Sequence, residues 1–400
     1  MLRQLDLRVL SRVDQLLALR ESWEGLLARA ATANVFLTPE WLMAWCRYYV
    51  KDATLRVIVV YEDGELIGLA PLLVEHQSVC GIPLLKQIKF LGAGVSDRLD
   101  ILAASGKERE ALEQITGWLF AQRWDVWDVD ELSEASPTAE LLPRLARRWG
   151  APVEVMRQSV CPVVKLPNDV EDYRSTRHRE FWKKVDYYGR RLRKEHELEV
   201  RFNQGAADLD RDLEGFLDVY RASFAARPSP LTDKRFADFR RDVVGEMARQ
   251  KRILLALLLV DGTPVSGQLC FLYQRTCYAY NLCHDPSFSK QSVGTVLQWE
   301  VLQYLIEHGY KEYDFLRGAE AYKYRWSASS VYHQRIRIWR NTRKVRLVRA
   351  ALRVRRRSQA NPIGQAGEVE AEERSRPAGA LGLIPQSNEA IDRPQTGETE

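Results

Sequence analysis

Twice in this chain an apolar run stops at Asp-Gly and then resumes. The first copy is Leu55-Arg-Val-Ile-Val-Val-Tyr, Asp63-Gly64, then Leu66-Ile-Gly-Leu-Ala-Pro-Leu-Leu-Val. The second is Ile253-Leu-Leu-Ala-Leu-Leu-Leu-Val, Asp261-Gly262, then Val265-Ser-Gly-Gln-Leu-Cys-Phe-Leu-Tyr. A two-residue type I′ turn needs positive φ at both central positions, and Asp-Gly accepts it, so each copy reads as a β-hairpin. A helix and a strand come after each hairpin. In the first copy the helix lies near Lys107 to Gln122, with the strand from Trp124; in the second it lies near Thr295 to His308, with the strand from Tyr310. One order of elements met twice, with slight identity, predicts a duplicated α/β (α+β) chain of two tandem halves, each a mixed, mostly antiparallel sheet flanked by helices.

The expected boundaries are 1–165 for the first half, 166–340 for the second, 341–357 for a basic helix and 358–400 for a disordered acidic tail. Composition draws the last two lines. Residues 341–360 hold eight Lys/Arg and no acid, with Val345, Val348 and Leu352 at helical spacing. Residues 361–400 hold eight acids, three arginines and few large apolar side chains, too few to offset the entropy of ordering. The basic helix has two readings: a cap on the fold, or contact with an anionic membrane surface or a synthase complex.

With 46% hydrophobic residues over 400 positions, the chain can bury two ordinary cores. A net charge of +5 spread over that length does not mark a nucleic-acid binder. No apolar run reaches the roughly 18–20 residues of a membrane span, and Met1 to Leu10 lacks a signal-type core, which places the protein in the cytoplasm. The six cysteines, Cys46, Cys80, Cys161, Cys270, Cys277 and Cys283, form no C-x-x-C pair, so neither a metal site nor a disulfide framework is expected. Tyr173 to Glu195 interleaves Lys and Arg with Phe181, Trp182, Tyr187 and Tyr188. That mixture can bind single-stranded nucleic acid, but the aromatic spacing also suits one buried helical face, and no DNA partner is expected.

The chemistry points to Cys277-Tyr-Ala-Tyr-Asn-Leu-Cys-His-Asp-Pro-Ser-Phe-Ser-Lys-Gln-Ser-Val-Gly-Thr-Val-Leu, read as strand, turn and helix. Asp285-Pro286 stops the strand, Ser292 is placed to cap the helix, and Gly294 leaves its first turn bare. Free amides at the positive end of a helix dipole make an anion site, and a diphosphate is the natural occupant. Lys290, Gln291, Ser292, Val293, Gly294 and Thr295 are its candidate residues. Downstream, Asp314-Phe-Leu-Arg-Gly-Ala-Glu-Ala-Tyr-Lys crowds polar groups at a strand end, where α/β sites tend to lie.

Gln291-Ser-Val-Gly-Thr-Val resembles the GNAT diphosphate motif Q/R-x-x-G-x-G/A, departing at Val296. Asp314 to Lys323 resembles the D-F-x-R-G-x-E-x-Y-K segment of GNAT acetyltransferases of the CelD/BcsL cellulose-biosynthesis type, to which FemAB aminoacyltransferases are more distantly similar. Phe36 to Trp45 resembles the same group's opening helix. The resemblance covers about residues 30–340. It implies transfer of an acyl group from acetyl-CoA to an amine or hydroxyl of a small-molecule or saccharide acceptor lying between the halves, without a metal. It also implies a β-bulge opening the central strands, for which Gly267 is the candidate, with amides from Cys277 to Cys283 binding the pantetheine arm. Asp314, Glu320 and His284 are candidate bases and Tyr322 a candidate proton donor to the thiolate; Arg317, Lys323 and Asp97 are candidate acceptor-binding residues. Arg98 and Asp100 are further candidates for the cleft. The first half lacks the diphosphate motif and is expected to shape the cleft only. The rival readings are a FemAB-like aminoacyltransferase using aminoacyl-tRNA and a non-catalytic scaffold of a polysaccharide-synthase assembly.

Overall fold

A computed structural model describes residues 4–50, 54–79, 82–205, 207–225 and 234–359. The expected acidic tail and Cys80 lie outside them. The strands of the first half are β1 (Leu5–Leu10), β2 (Val57–Glu62), β3 (Glu65–Ala70), β4 (Leu72–Val79), β5 (Ile82–Phe90), β6 (Leu102–Ala103), β7 (Val126–Ser133) and β8 (Val153–Lys165). Those of the second are β9 (Leu198–Asn203), β10 (Ile253–Val260), β11 (Thr263–Tyr273), β12 (Thr276–His284), β13 (Glu312–Asp314) and β14 (Ser329–Trp339).

Both Asp-Gly pairs make the turns their sequence demands. Asp63 and Gly64 have φ of 49° and 86°, and Asp261 and Gly262 have 50° and 77°, closing β2–β3 and β10–β11. In the first half the returning strand breaks at Pro71, which lacks a ladder donor. Its two parts enter different sheets: β3 joins a four-stranded sheet ordered β1-β2-β3-β6, and β4 joins the large one.

The large sheet has ten strands, ordered β4-β5-β7-β14-β8-β13-β12-β11-β10-β9. The sequence led us to expect a sheet in each half; instead one sheet runs through both. Each half sends its last strand across: β8 pairs antiparallel with β13, and β14 inserts between β7 and β8. Two parallel contacts remain at equivalent places, β5 with β7 and β12 with β13.

Every residue of β10 is buried, as a central strand covered on both faces requires. Ile253, Leu255, Leu257 and Leu259 face one core with the helices Leu209–Phe224 and Lys234–Arg249. Leu254, Ala256, Leu258 and Val260 face a second core with Arg179–Glu195 and Val293–Glu307. The first core continues into the first half through Phe36, Trp41 and their neighbours, so the halves share apolar packing. Phe181 and Trp182 pack against Trp326, with Trp182 also against Trp299, which takes the buried-face reading of that basic helix. The helix Arg343–Gln359 lays Val345 and Val348 on Leu85, Val126 and Trp339, as a cap on the sheet.

Candidate active site

In the second half the strand runs on well past its parallel contact. β12 and β13 pair in parallel only at Thr276–Glu312, Cys277–Tyr313 and Tyr278–Asp314. Beyond Tyr278, residues 279–284 of β12 keep β11 as their strand partner, and no other strand pairs with them among the described residues. Within this stretch the β11 register slips: Leu269 faces Asn281 while Cys270 faces Ala279, which makes Tyr280 an extra, bulged residue. A bulge bends its strand and strengthens local twist, which parts β12 from β13. Gly267, the residue expected to carry the irregularity, pairs in register with Cys283 and Leu257. Its missing side chain serves packing instead: a Cβ there would lie 2.7 Å from the Phe216 ring.

The open edge leads into the expected anion site. Pro286–Gln291 forms a 3₁₀ turn, and the helix Val293–Glu307 comes next with no acid in its first turn. Ser292 sits at the cap position with φ 55°, but its hydroxyl makes no capping bond, contrary to the sequence reading. The Thr295 and Val296 amides bond back to the Ser292 carbonyl, leaving those of Val293 and Gly294 as the first turn's donors without an acceptor among the described residues. Nothing lies within 4 Å of a Cβ built on Gly294. Val293 is buried, Lys290 is exposed, and Gln291, Ser292 and Thr295 are half-buried. The buried Oε1 of Gln291 makes no hydrogen bond among the described residues. Gln268, Gln298 and Tyr313 hydrogen-bond one another beneath this helix and fix it to the sheet.

The Asp314–Lys323 residues occupy the other end of the opening, and most are committed to one another or to the first half. Asp314 is fully buried; its Oδ2 accepts from Arg98 Nε at 2.5 Å and its Oδ1 from the Leu316 amide at 2.9 Å. Arg317 donates to Glu131 Oε1 at 2.5 Å and to the Ser96 carbonyl at 2.9 Å, with its Nε 3.3 Å from Asp97 Oδ1. Lys323, 2% exposed, donates to the Arg317 carbonyl and pairs with Glu320 at 3.1 Å, stapling the loop. Asp97, Arg317 and Lys323, expected to face an acceptor, are thus bonded into the seam between halves. Asp100 is buried elsewhere in the first half, its carboxyl pushed up to about 6 by burial, against hydrogen bonds from Ser136, Thr138 and Thr32.

Sequence reasoning missed Glu131 and His333. His333 is fully buried, 2.9 Å from Glu131 Oε2 and 3.8 Å from Asp97 Oδ1, with Cys161 Sγ 3.5 Å from its Nε2. The seam sets three carboxylates (Asp97, Glu131, Asp314) against two guanidiniums (Arg98, Arg317). Burial raises the pKa of Asp97 despite Arg317; Glu131 is lowered, Arg317 and His333 outweighing its burial. The ligand atoms of Asp97, Cys161 and His333 lie within 4.8 Å of one another, but a cation there has Arg317 as a competitor. Only long-range pairing assembles this group; no local spacing signals it.

Tyr322 is half-buried with its ring edge-on to Phe315, and burial raises its pKa well above the usual phenol range. His284 stands six residues beyond Tyr278, about 20 Å along the strand. Its backbone amide and carbonyl both bond the Ser223 hydroxyl, and burial lowers its pKa. It does not join the Asp314 group. At the bulge, Asn281 is 6% exposed and its side-chain oxygen has no hydrogen-bond partner among the described residues.

In the second half a parallel strand pair parts at a bulge and leads to a bare helix N-terminus. Residues 178–324 match the acetyltransferase (GNAT) domain family, a span that holds the bulge, the open edge, the helix start and the Asp314 loop. Among solved structures the chain is similar to FemX, with a TM-score of 0.55 at 13% identity over 78% of this chain and 95% of that one. It is also similar to the C-terminal domain of a protein described as a lysylphosphatidylglycerol synthetase from Agrobacterium fabrum, with a TM-score of 0.51 at 10% identity over 84% and 96%. At such identities the likeness is one of fold. No curated protein sequence matches the chain.

Proposed function

We propose that the protein transfers an acyl group, acetyl the expected one, from acyl-CoA to an amine or hydroxyl acceptor. One observation carries this reading: the unpaired edge of β12 beyond Tyr278 runs directly to the free amides of Val293 and Gly294. That edge can pair with a pantetheine arm, and the amides with the donor's diphosphate, aided by the exposed charge of Lys290. Main-chain donors beside the bulge would polarise the thioester carbonyl. Direct attack by the acceptor needs no covalent nucleophile. Tyr322 keeps its proton at neutral pH and suits the role of donor to the departing thiolate; Glu320, at the start of the same short helix, is the base within this loop. Asp314, Arg98, Arg317, Asp97 and Lys323 act as positioning residues that hold the loop.

The CelD/BcsL-type resemblance makes the acceptor a small molecule or saccharide of cellulose, exopolysaccharide or cell-envelope metabolism. No helix among the described residues is long and apolar enough to cross a membrane. The helix Arg343–Gln359 shows Leu347 72% exposed beside Arg343 and Arg346, a face suited to peripheral contact with an anionic surface.

The FemX-like fold and the solvent-facing Lys and Arg of Arg179–Glu195 favour a second reading, aminoacyl transfer from tRNA. Thermal melting separates the two. Acetyl-CoA at a hundred times its Kd should stabilise the protein by about 2.7 kcal/mol. Stabilisation by aminoacyl-tRNA without any response to acetyl-CoA would overturn our reading in favour of the second.

A further inference from the structure

Two arginines are buried among the described residues, Arg317 and Arg240. Arg317 faces Glu131 and Asp97, as the half-buried Arg98 faces Asp314 and Arg335 faces Asp128. Arg240, on the helix Lys234–Arg249, is 4% exposed; among the described residues it forms no ion pair, and its Nη1 makes no hydrogen bond. It lies over the rings of Tyr220 (4.6 Å) and Phe236 (5.5 Å). The ionisable groups that act on it are Tyr220, Tyr280 and Cys283, none of them charged at neutral pH, since burial raises all three. Burial accordingly lowers the pKa of Arg240, whereas the carboxylates around Arg98 and Arg317 raise theirs. The Tyr220 hydroxyl, 3% exposed, can accept from Arg240 itself and has no other hydrogen-bond partner among the described residues, so its own proton is left to donate. A charge taken out of water without a counter-ion is penalised, and protein interiors pair or expel such groups.

The place of this unmatched charge gives it meaning. Tyr280 is the bulged residue of β12 and Cys283 lies on the edge that β13 has left. The helix of Arg240 packs through Phe239 on Trp41 of the first half, whose indole donates to Ser96, the neighbour of the seam residue Asp97. The Tyr280 hydroxyl is already engaged by the Val95 carbonyl, so Arg240 and Tyr220 are the donors left over.

We propose that Arg240 and the Tyr220 hydroxyl receive an oxyanion, a carboxylate or phosphate carried by the acceptor, beside the β12 bulge. Its assignment to the acceptor rests on the acyltransferase reading; the anion site itself does not. A guanidinium offers the fork that either oxyanion fits, and the phenol supplies one further donor. The acceptor is therefore an anionic molecule, and its charge completes a pair that the protein leaves half-made.

The test is thermal melting of the full chain with inorganic phosphate and, separately, succinate, on the wild type, Arg240→Met, Tyr220→Phe and Gly294→Glu. At least one anion should stabilise the wild type, and which one responds tells phosphate from carboxylate. The response should persist in Gly294→Glu, where the helix anion site is blocked, and vanish in Arg240→Met. Without anion, Arg240→Met should melt no lower than wild type, because it removes an uncompensated charge. Tyr220→Phe should keep its stability and bind the anion about 3- to 10-fold more weakly, the loss of one hydrogen bond. A response lost in Gly294→Glu but kept in Arg240→Met and Tyr220→Phe would overturn the proposal, as would no response to either anion. An Arg240-dependent anion response in a protein that ignores acetyl-CoA would keep the anion site and remove the acyl-CoA reading.

Discussion

The two halves carry the same parallel strand pair but use the helix between its strands in opposite ways. In the first half β5 meets β7 at Gln87–Lys89 and Val126–Asp128; in the second β12 meets β13 at Thr276–Tyr278 and Glu312–Asp314. The helix after β12 begins with no acid in its first turn and an open Gly294. The helix after β5, Glu108–Ala121, begins with Glu108 and Glu110, carboxylates that complement its own dipole, and Lys107 before it pairs with Glu62. The first half also spends residues 91–107 between strand and helix. That segment carries Asp97 and Arg98 across to Arg317 and Asp314. One copy thus leaves its helix end bare, the place proposed for the donor's diphosphate, while the other puts carboxylates at its own and supplies charges that hold its counterpart's loop. Duplicated architecture need not mean duplicated chemistry; the segment 91–107, committed to the seam, sets the halves apart along with the first-turn carboxylates.

The comparison breaks most visibly at the seam. Asp314→Asn strips Arg98 of its counter-charge and should cost about 3–5 kcal/mol in urea unfolding, because removing one member of a buried pair strands the other. A loss below about 1 kcal/mol would mean that the first-half loop is not a structural support. The next effect belongs to the first half alone. Asp100 has its pKa raised to about 6 by burial, against about 3.9 in an unfolded chain. The folded state holds that proton more tightly, so the contribution is complete below about pH 4 and is lost as pH rises through about 6. The loss amounts to about 3 kcal/mol at most. Asp100→Asn should flatten the difference in melting between pH 4 and 7 by that amount; an unchanged slope would show that Asp100 is not buried as described.

What the sequence disclosed was local. Asp63-Gly64 and Asp261-Gly262 announced their hairpins because backbone preference at two residues decides the turn. Gln291 to Gly294 announced a bare helix start because the missing side chain is written at its own position. The exchange of β8 and β14 left no such mark, since the partners of each half's last strand lie far along the chain. The bulge fell on Tyr280 rather than Gly267 for a similar reason. Gly267 answers to Phe216 packing across the sheet, while the register between β11 and β12 is set by both strands together. Ser292 was read as a cap from its identity, but its left-handed φ of 55° leaves the hydroxyl without a capping bond. Asp314 and Arg98 stand 216 positions apart. A candidate base and a candidate cleft residue were each visible singly, and their union was not.

The most direct measurement is calorimetric titration of acetyl-CoA into three proteins: wild type, Gly294→Glu, and Glu108→Gln with Glu110→Gln. The account predicts one site per chain in the wild type and an affinity at least about 100-fold weaker, near 2.7 kcal/mol, in Gly294→Glu. The melting temperature of that variant should be preserved, since its Cβ meets no atom within 4 Å. The first-half variant should still bind one equivalent. Unchanged affinity in Gly294→Glu, or a second equivalent bound once Glu108 and Glu110 are neutral, would contradict it.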